Sequence, residues 1–167
     1  RYVGEVEADL PGNRFNDGKC DPAGRFWAGT MHYDCVDCAG SLYVMETDHS
    51  VRKAIDSVTI SNGLVWTSDA KIFYYIDSMS YEVAAFDYDI VTGHIDHRRV
   101  VVRIDKDLGM PDGMSIDVEG MIWIAFYGGG HVCRFNPQTA ELLETITVPE
   151  AKMVTSCAFG GDNLDEL

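Results

Sequence analysis

The chain has 167 residues, 46% of them hydrophobic, and a formal net charge of −14 at pH 7. A chain of this length can bury a sizeable core within one domain, and its composition is typical of globular proteins. The excess of acidic residues argues against binding to nucleic acid or to an anionic membrane surface, because phosphate contacts need clustered lysine and arginine.

Targeting signals and cysteine usage indicate the compartment. No run of about 18 apolar residues and no basic-then-apolar leader occurs, so we expect neither a membrane span nor secretion. Five cysteines without a disulfide framework favour a reducing compartment, and we expect a cytoplasmic protein. Cys35 and Cys38 form a lone CxxC pair, which favours reduced bystander thiols over a structural zinc site. Because the chain starts at Arg1 and stops at Leu167, where another strand should begin, we expect a piece of a longer protein.

Short apolar runs bounded by Gly, Pro, Asn or Asp predict strands along the whole chain, and no segment has a convincing helical period. After a lead-in segment at 14–18, the runs fall into three groups. The predicted strands are 25–31, 41–45 and 50–58, then a run from 60 through 71–77 with 82–88 and 97–104, and finally 113–117, 121–127, 131–135 and 142–148. The class is therefore predicted to be all-β.

A pattern recurs along these strands. Each copy has a polar lead residue, an Asp or Thr five residues later, then a small residue and an aromatic one. The lead residues are Asn16, Asn62 and Asp112, spaced by 46 and 50 residues, and a weaker fourth copy begins near Thr155. This period is typical of β-propeller blades, four-stranded sheets around a central channel. The sequence predicts one domain over residues 1–167, built of about three and a half blades.

Equivalent positions in successive blades face a common channel, so Asn16, Asn62 and Asp112 are expected to converge. Amide and carboxylate oxygens are hard ligands, suited to calcium or another oxygen-preferring divalent ion. At any one of these positions a hairpin turn is the ordinary alternative, because Asn-Gly and Asp-Gly tolerate positive φ. Three copies in register favour a shared site instead.

Arg14 lies two residues before Asn16, so on a strand both side chains face the same side. A guanidinium and an amide there could hold substrate oxygens, whereas pairing of Arg14 with a nearby acid such as Asp17 is the alternative. No Gly-x-Ser-x-Gly elbow and no suitably spaced Cys–His pair is present, so a metal is favoured over a covalent nucleophile.

Several motifs, in order, resemble one known family, the regucalcin and gluconolactonase family, also called senescence marker protein, to which luciferin-regenerating enzyme belongs. The matching segments are 14–19 (RFNDGK), 21–25 (DPAGR), 28–31 (AGTM), 60–64 (ISNGL), 73–78 (FYYIDS), 111–114 (PDGM) and 155–157 (TSC). The resemblance implies a six-bladed propeller of nearly twice this length, with one divalent ion in its channel.

The resemblance also implies roles for individual residues. Asn62 and Asp112 match metal ligands, and Asp112 also matches the catalytic acid/base. Arg14 and Asn16 match substrate-binding residues, and Asp34 stands where the family has a Glu. The family's third ligand, an N-terminal Glu, would lie upstream of Arg1.

Together these observations predict a metal-dependent hydrolase of sugar lactones such as gluconolactone. The expected cofactor is one divalent ion, Ca²⁺, with Zn²⁺, Mn²⁺ or Mg²⁺ as alternatives. A calcium-binding regulatory protein and a sibling hydrolase acting on another ester, an organophosphate or a luciferin-related product are the alternative functions. The expected partner is a small-molecule lactone, with no nucleic acid, membrane or obligate protein partner.

Overall fold

A computed structural model describes residues 3–167 and contains twelve strands and two single-turn 3₁₀ helices in that range. None of its helices is long and apolar enough to cross a membrane within the same range. The strands are β1 Asn13–Cys20, β2 Phe26–His32, β3 Gly40–Met45, β4 Val51–Val58, β5 Ser61–Trp66, β6 Ile72–Asp77, β7 Glu82–Tyr88, β8 Ile95–Arg103, β9 Met110–Ile116, β10 Ile122–Tyr127, β11 His131–Phe135 and β12 Leu142–Thr147. The 3₁₀ turns are Ser78–Ser80 and Lys106–Leu108.

The strands form three four-stranded antiparallel sheets, ordered β1-β2-β3-β4, β5-β6-β7-β8 and β9-β10-β11-β12. The first strand of each sheet lies next to the first strand of the following one. The residues after 150 then approach β9, where the Gly113 amide donates to the Thr155 carbonyl at 2.9 Å and the Ser115 hydroxyl donates to the Cys157 carbonyl at 2.7 Å. The fold is thus part of a β-propeller, three blades and the inner segment of a fourth, as the repeat predicts.

Two of the predicted strands, 82–88 and 131–135, are confirmed residue for residue, and most others shift by one or two positions. The differences lie at the inner strands. Residues 14–18, expected only to lead into a blade, form the body of β1, and β9 begins three residues before the predicted start at Gly113. Asn16, Asn62 and Asp112 therefore lie within strands, so the hairpin-turn alternative at these positions is wrong.

The Asp or Thr that follows each lead residue by five positions stabilises the turn between the first and second strands of its blade. The Asp21 carboxylate accepts from the backbone amides of Ala23 and Arg25 and from the Trp27 indole N–H. In the third blade Asp117 accepts from Glu119, Met121 and Trp123 in the same way. In the second blade Thr67 replaces the acid and Phe73 replaces the tryptophan, so the indole donor and its acceptor are absent together.

Apolar layers between successive blades make up the core. Between the first and second blades, Trp66 stacks on Phe73 with ring centroids 4.8 Å apart, and Trp27 packs against both. Trp123 packs in the last layer with Phe159 of the fourth-blade segment. Burying one such aromatic ring fully contributes about 1.5–3 kcal/mol, so these layers stabilise the packing of each blade on the next. The inner strands are thereby brought side by side.

Asp21→Ala should strongly destabilise the chain. Its carboxylate is fully buried and pairs at 3.0 Å with Arg25, which is also buried. Burial by itself raises the pKa of Asp21, but donors from Tyr88, Trp27 and Arg25 outweigh burial and hold that pKa below its usual range. Removing one member of a buried pair costs about 3–5 kcal/mol. Urea denaturation at pH 7 measures the loss.

Asp117→Ala is the matched control, because Asp117 and its partner Arg134 are more exposed. It should cost less than Asp21→Ala. Since the pKa of Asp21 is lowered by folding, its stabilisation is present above the unfolded-state pKa and disappears as pH falls through the folded-state pKa. Equal losses for the two variants, or a penalty for Asp21→Ala that persists undiminished at low pH, would contradict the assignment.

Candidate functional site

A cavity of about 550 Å³ opens where the inner strands β1, β5 and β9 lie side by side. The three lead residues of the repeat all line it, as does Arg14. The lining is completed by Asp17, Met31, Cys35, Ile60, Met110, Tyr127, Thr155 and Ser156. The cavity is therefore built mainly from corresponding positions of successive blades.

Each inner strand has a β-bulge at its lead residue. On β1 the register against β2 skips Asn16 and Asp17, and on β5 an extra residue follows Asn62. On β9 the extra residue falls at Asp112 and Gly113. A bulge adds one residue to a strand and re-aims the side chains beside it. The bulges thus account for how three strands of different sheets present their lead side chains to one space.

The glycines that follow two of the lead residues are required by close backbone approach. A Cβ at Gly63 would lie 2.9 Å from the Asp112 carbonyl oxygen, and one at Gly113 would lie 2.7 Å from the Thr155 carbonyl oxygen. Real Cβ atoms essentially never come that near, so these sites need glycine. The Asn-Gly and Asp-Gly pairs that resemble turn signals instead let neighbouring inner strands touch.

A chain of hydrogen bonds joins the inner strands across the cavity. Arg14 donates to Asn16 Oδ1 at 2.8 Å, and Asn16 Nδ2 donates to Asn62 Oδ1 at 3.0 Å. Asn62 Nδ2 donates to Ser78 Oγ at 2.8 Å, and Ser78 Oγ donates to the Pro111 carbonyl at 2.6 Å. Ser78 is fully buried and accepts the hydrogen bond from Asn62 Nδ2. This contact orients the Asn62 amide so that Oδ1 faces Asn16 and the cavity.

Two carboxylates bring negative charge to the cavity. Burial, reinforced by the charge of Asp17, raises the pKa of Asp112 to about 6, although the Gly113 backbone N–H opposes the rise. Burial also raises the pKa of Asp17, against the Gly18 backbone N–H and the charge of Lys19. No ion pair reaches Asp112 within the described part of the chain, and the cavity therefore favours a cation beside its acids.

Lys19 is a half-buried cation on β1, two residues after Asp17. Its ammonium donates to the Met114 carbonyl on β9 at 2.8 Å, so it links the first and third inner strands. Burial lowers the pKa of Lys19, while the charge of Asp17 acts in the opposite direction. Sequence reasoning considered Asp17 only as a possible partner of Arg14 and assigned no role to Lys19 or Ser78, although all three stand in the motifs quoted above. Only the bulges and the packing of neighbouring blades show what they contact.

Arg14 lies at the mouth of the cavity, between the Asn16 amide and the Tyr33 ring, whose centroid is 5.8 Å from the guanidinium carbon. It contacts Asn16 and the Phe15 carbonyl rather than pairing with Asp17. Asp34 is elsewhere: its side chain is 87% exposed, and the cavity is lined by the next residue, Cys35. The substrate role of Asp34 thus remains a prediction that the geometry does not support.

The donor set tests whether an ion fits. Across residues 3–167 there is no cluster of three or more His, Cys, Asp or Glu side chains placed to bind a metal. The cavity instead offers the Asn62 amide oxygen and the Asp112 carboxylate, beside Asp17. These are hard oxygen donors with uncompensated negative charge, which fit an oxygen-preferring divalent cation as part of its coordination shell.

Comparison with known proteins gives relatives for this geometry. The family model described as SMP-30/Gluconolactonase/LRE-like region matches residues 1–167. Regucalcin of Macaca fascicularis is 52% identical over 167 residues, covering 97% of this chain and 56% of its own length. The chain therefore spans little more than half the length of the curated relatives that it matches.

Solved structures agree. A luciferin-regenerating enzyme superposes with a TM-score of 0.92 at 40% identity, covering 98% of this chain and 55% of its own. A protein from Agrobacterium tumefaciens, described as a calcium-binding protein, regucalcin, superposes with a TM-score of 0.90 at 32% identity, covering 97% of this chain and 54% of its own. Since the family model matches the chain from end to end, this chain belongs to the SMP-30/gluconolactonase/LRE-like family.

Proposed function

We propose that the protein carrying this chain is a metal-dependent hydrolase of sugar lactones that works with a divalent cation, calcium. The carrying observation is the placement of Asp112, Asn62, Asn16 and Arg14 around one half-buried cavity. Family membership and the description of one relative as calcium-binding support the proposal.

Asn62 and Asp112 would hold the ion. When bound, such an ion polarises a carbonyl and lowers the pKa of water. Asp112 would accept the proton of the attacking water. Without a bound ion the pKa of Asp112 is about 6, and a nearby cation would lower it, so the carboxylate is ionised at neutral pH and available to accept a proton. Such a base typically contributes about 10²–10⁴-fold in rate.

Arg14 and Asn16 would orient the substrate. The guanidinium carries five donors and uses two contacts within the chain, so it retains donors for lactone oxygens. Asn16 Nδ2 donates to the Ser61 carbonyl and to Asn62, while Asn16 Oδ1 accepts from Arg14 and keeps one acceptor position for a substrate hydroxyl. Free thiols at all five cysteines support the proposal of a reducing, cytoplasmic location.

A second candidate is a calcium-binding regulatory protein without relevant turnover, favoured by the description of the Agrobacterium relative. A sibling hydrolase is favoured by the likeness to luciferin-regenerating enzyme. Lactone turnover that depends on added metal separates the first proposal from the regulatory one. A panel of lactone, phosphotriester and luciferin-related esters separates it from the sibling hydrolase.

Asn62→Ala and Asp112→Asn should fail in different ways in a protein that carries this chain at the length of its relatives. Asn62→Ala removes a neutral ligand and leaves the base, so excess calcium should restore part of the activity, although the hydrogen bonds to Asn16 and Ser78 are also lost. Asp112→Asn keeps an oxygen and nearly the same shape but removes the charge and the base. Its kcat should stay at least about 10²-fold down at saturating metal.

The measurement is a calcium titration of gluconolactone hydrolysis, with calcium affinity followed independently by calorimetry. Asp34→Asn, which changes an exposed carboxylate in the same way, is the control and should behave as the parent. Recovery of near-parental rates by Asp112→Asn at high calcium would reduce Asp112 to a ligand and overturn its role as the base.

Arg14→Lys should chiefly raise KM. Lysine keeps the positive charge but loses the planar fork, so two substrate oxygens can no longer be bound together. We expect KM for gluconolactone to rise about tenfold, the loss of about 1.4 kcal/mol expected for a charge-assisted hydrogen bond, with a smaller change in kcat. Steady-state kinetics measure this, and an unchanged KM would remove Arg14 from the substrate site.

The metal-free protein should reveal the charge of Asp112 through its stability. An acid with a raised folded-state pKa contributes stability below its unfolded-state pKa of about 4, and that contribution is lost as pH rises through about 6. Asp112→Asn stays neutral, so it should melt higher than the parent at pH 8 but not at pH 4. The test is to measure melting temperatures in the presence of a chelator at both pH values. The control Asp34→Asn should show no difference from the parent at either pH.

A further inference from the structure

The loop of residues 33–39, between β2 and β3, carries a pair of thiols at the cavity. Cys35 and Cys38 are both exposed and both free. Cys35 is one of the residues that line the 550 Å³ cavity. Three peptide units separate the two cysteines, so their sulfurs can be brought together by local rotations within one exposed loop.

Both cysteines have backbone conformations that their side chains disfavour. Cys35 has φ of +52° and Cys38 has φ of +57°, while none of the other three cysteines lies in this region within the described chain. A non-glycine residue there costs about 1–2 kcal/mol, and such strain is enriched at switches and ligand clamps. Nine other non-glycine residues of the described chain also have positive φ, so these values show only that the loop turns tightly at each cysteine.

The same loop touches the proposed substrate site. The Tyr33 amide donates to the Gly12 carbonyl at 2.8 Å, and its ring faces the Arg14 guanidinium. At the other end, the Cys38 amide donates to Thr59 Oγ1 at 3.0 Å. Cys35 therefore lies between two points at which the loop is hydrogen-bonded to the blades, Tyr33 on one side and Cys38 on the other.

We propose that Cys35 and Cys38 form a reversible thiol–disulfide switch, closed by peroxide, that reshapes the mouth of the cavity and changes the Tyr33–Arg14 contact. One sulfur attacks a peroxide oxygen and breaks the O–O bond, which leaves a sulfenic acid and one water. The second thiol displaces the sulfenic oxygen as another water and closes the disulfide. Two thiols are oxidised and one peroxide is reduced, and a small dithiol reverses the bond by exchange.

The bond itself is tested on the 167-residue chain without reference to activity. After brief treatment with stoichiometric hydrogen peroxide, the intact mass should fall by two hydrogens, and peptide mapping should place the bond between Cys35 and Cys38. Cys20→Ser removes another exposed thiol outside the loop and should form the same bond. Cys38→Ser should instead accumulate a sulfenic acid at Cys35, trapped by dimedone.

The consequence for the cavity rests on the proposed function and is measured separately. The Arg14 Nε–H resonance should shift on oxidation and return with dithiothreitol, and peroxide should leave it unchanged in the double variant Cys35→Ser/Cys38→Ser. In the longer protein, lactone hydrolysis should fall at least threefold on oxidation and recover on reduction, while peroxide should not change the rate of the double variant.

Separate alkylation of Cys35 and Cys38 after peroxide, at rates no different from Cys20, would overturn the switch. A disulfide that forms without moving the Arg14 resonance would overturn its link to the cavity. Absence of lactone hydrolysis in the reduced protein would instead count against the proposed function, and the mass and resonance measurements would still decide the switch.

Discussion

The side-chain hydrogen bonds that run from Asn16 through Asn62 and Ser78 to the Pro111 carbonyl are the constraint on which the site depends. Strands within each sheet are joined by backbone ladders. In the described chain β1, β5 and β9 are joined to one another instead by side-chain hydrogen bonds and by apolar packing. Because Asn62 and Ser78 are buried, breaking the chain would leave polar groups unsatisfied at about 1–3 kcal/mol each.

This constraint explains the local chemistry of the inner strands. An amide can donate and accept hydrogen bonds at the same time, so Asn16 and Asn62 can each bond to residues on both sides and link neighbouring blades. The glycines at 63 and 113 let the backbones approach closely enough for such short side chains to meet. The bulges supply the remaining freedom by turning each lead residue toward the cavity. Site and fold thus share the same residues.

The aspartates of the repeat differ in whether an arginine neutralises their charge. Asp21 and Asp117, which hold the turns, are neutralised by Arg25 and Arg134 and stabilise the blades. Asp112, at the lead position, faces a half-buried cavity in which its pKa is raised by burial and by another acid. The first pair is satisfied within the chain, while Asp112 is not. That difference is what makes a bound cation the expected partner of the cavity.

The sequence by itself determined the fold class, the blade repeat and the lead residues, because strand-forming runs and their spacing are local properties of the chain. It also predicted that Arg14 and Asn16 share a side of one strand. It did not distinguish Asn-Gly as a turn from Asn-Gly within an inner strand, since the deciding contact comes from a neighbouring blade some 50 residues away.

Only the tertiary structure placed Asp17 beside Asp112, joined Lys19 to Met114 and assigned Ser78 to orient Asn62. It also set Asp34 outside the cavity and Cys35 at its edge. A bulge shifts alternation by one residue, so the face on which a side chain emerges cannot be counted from sequence. Burial and neighbouring charge, which set the pKa values here, exist only once the blades pack.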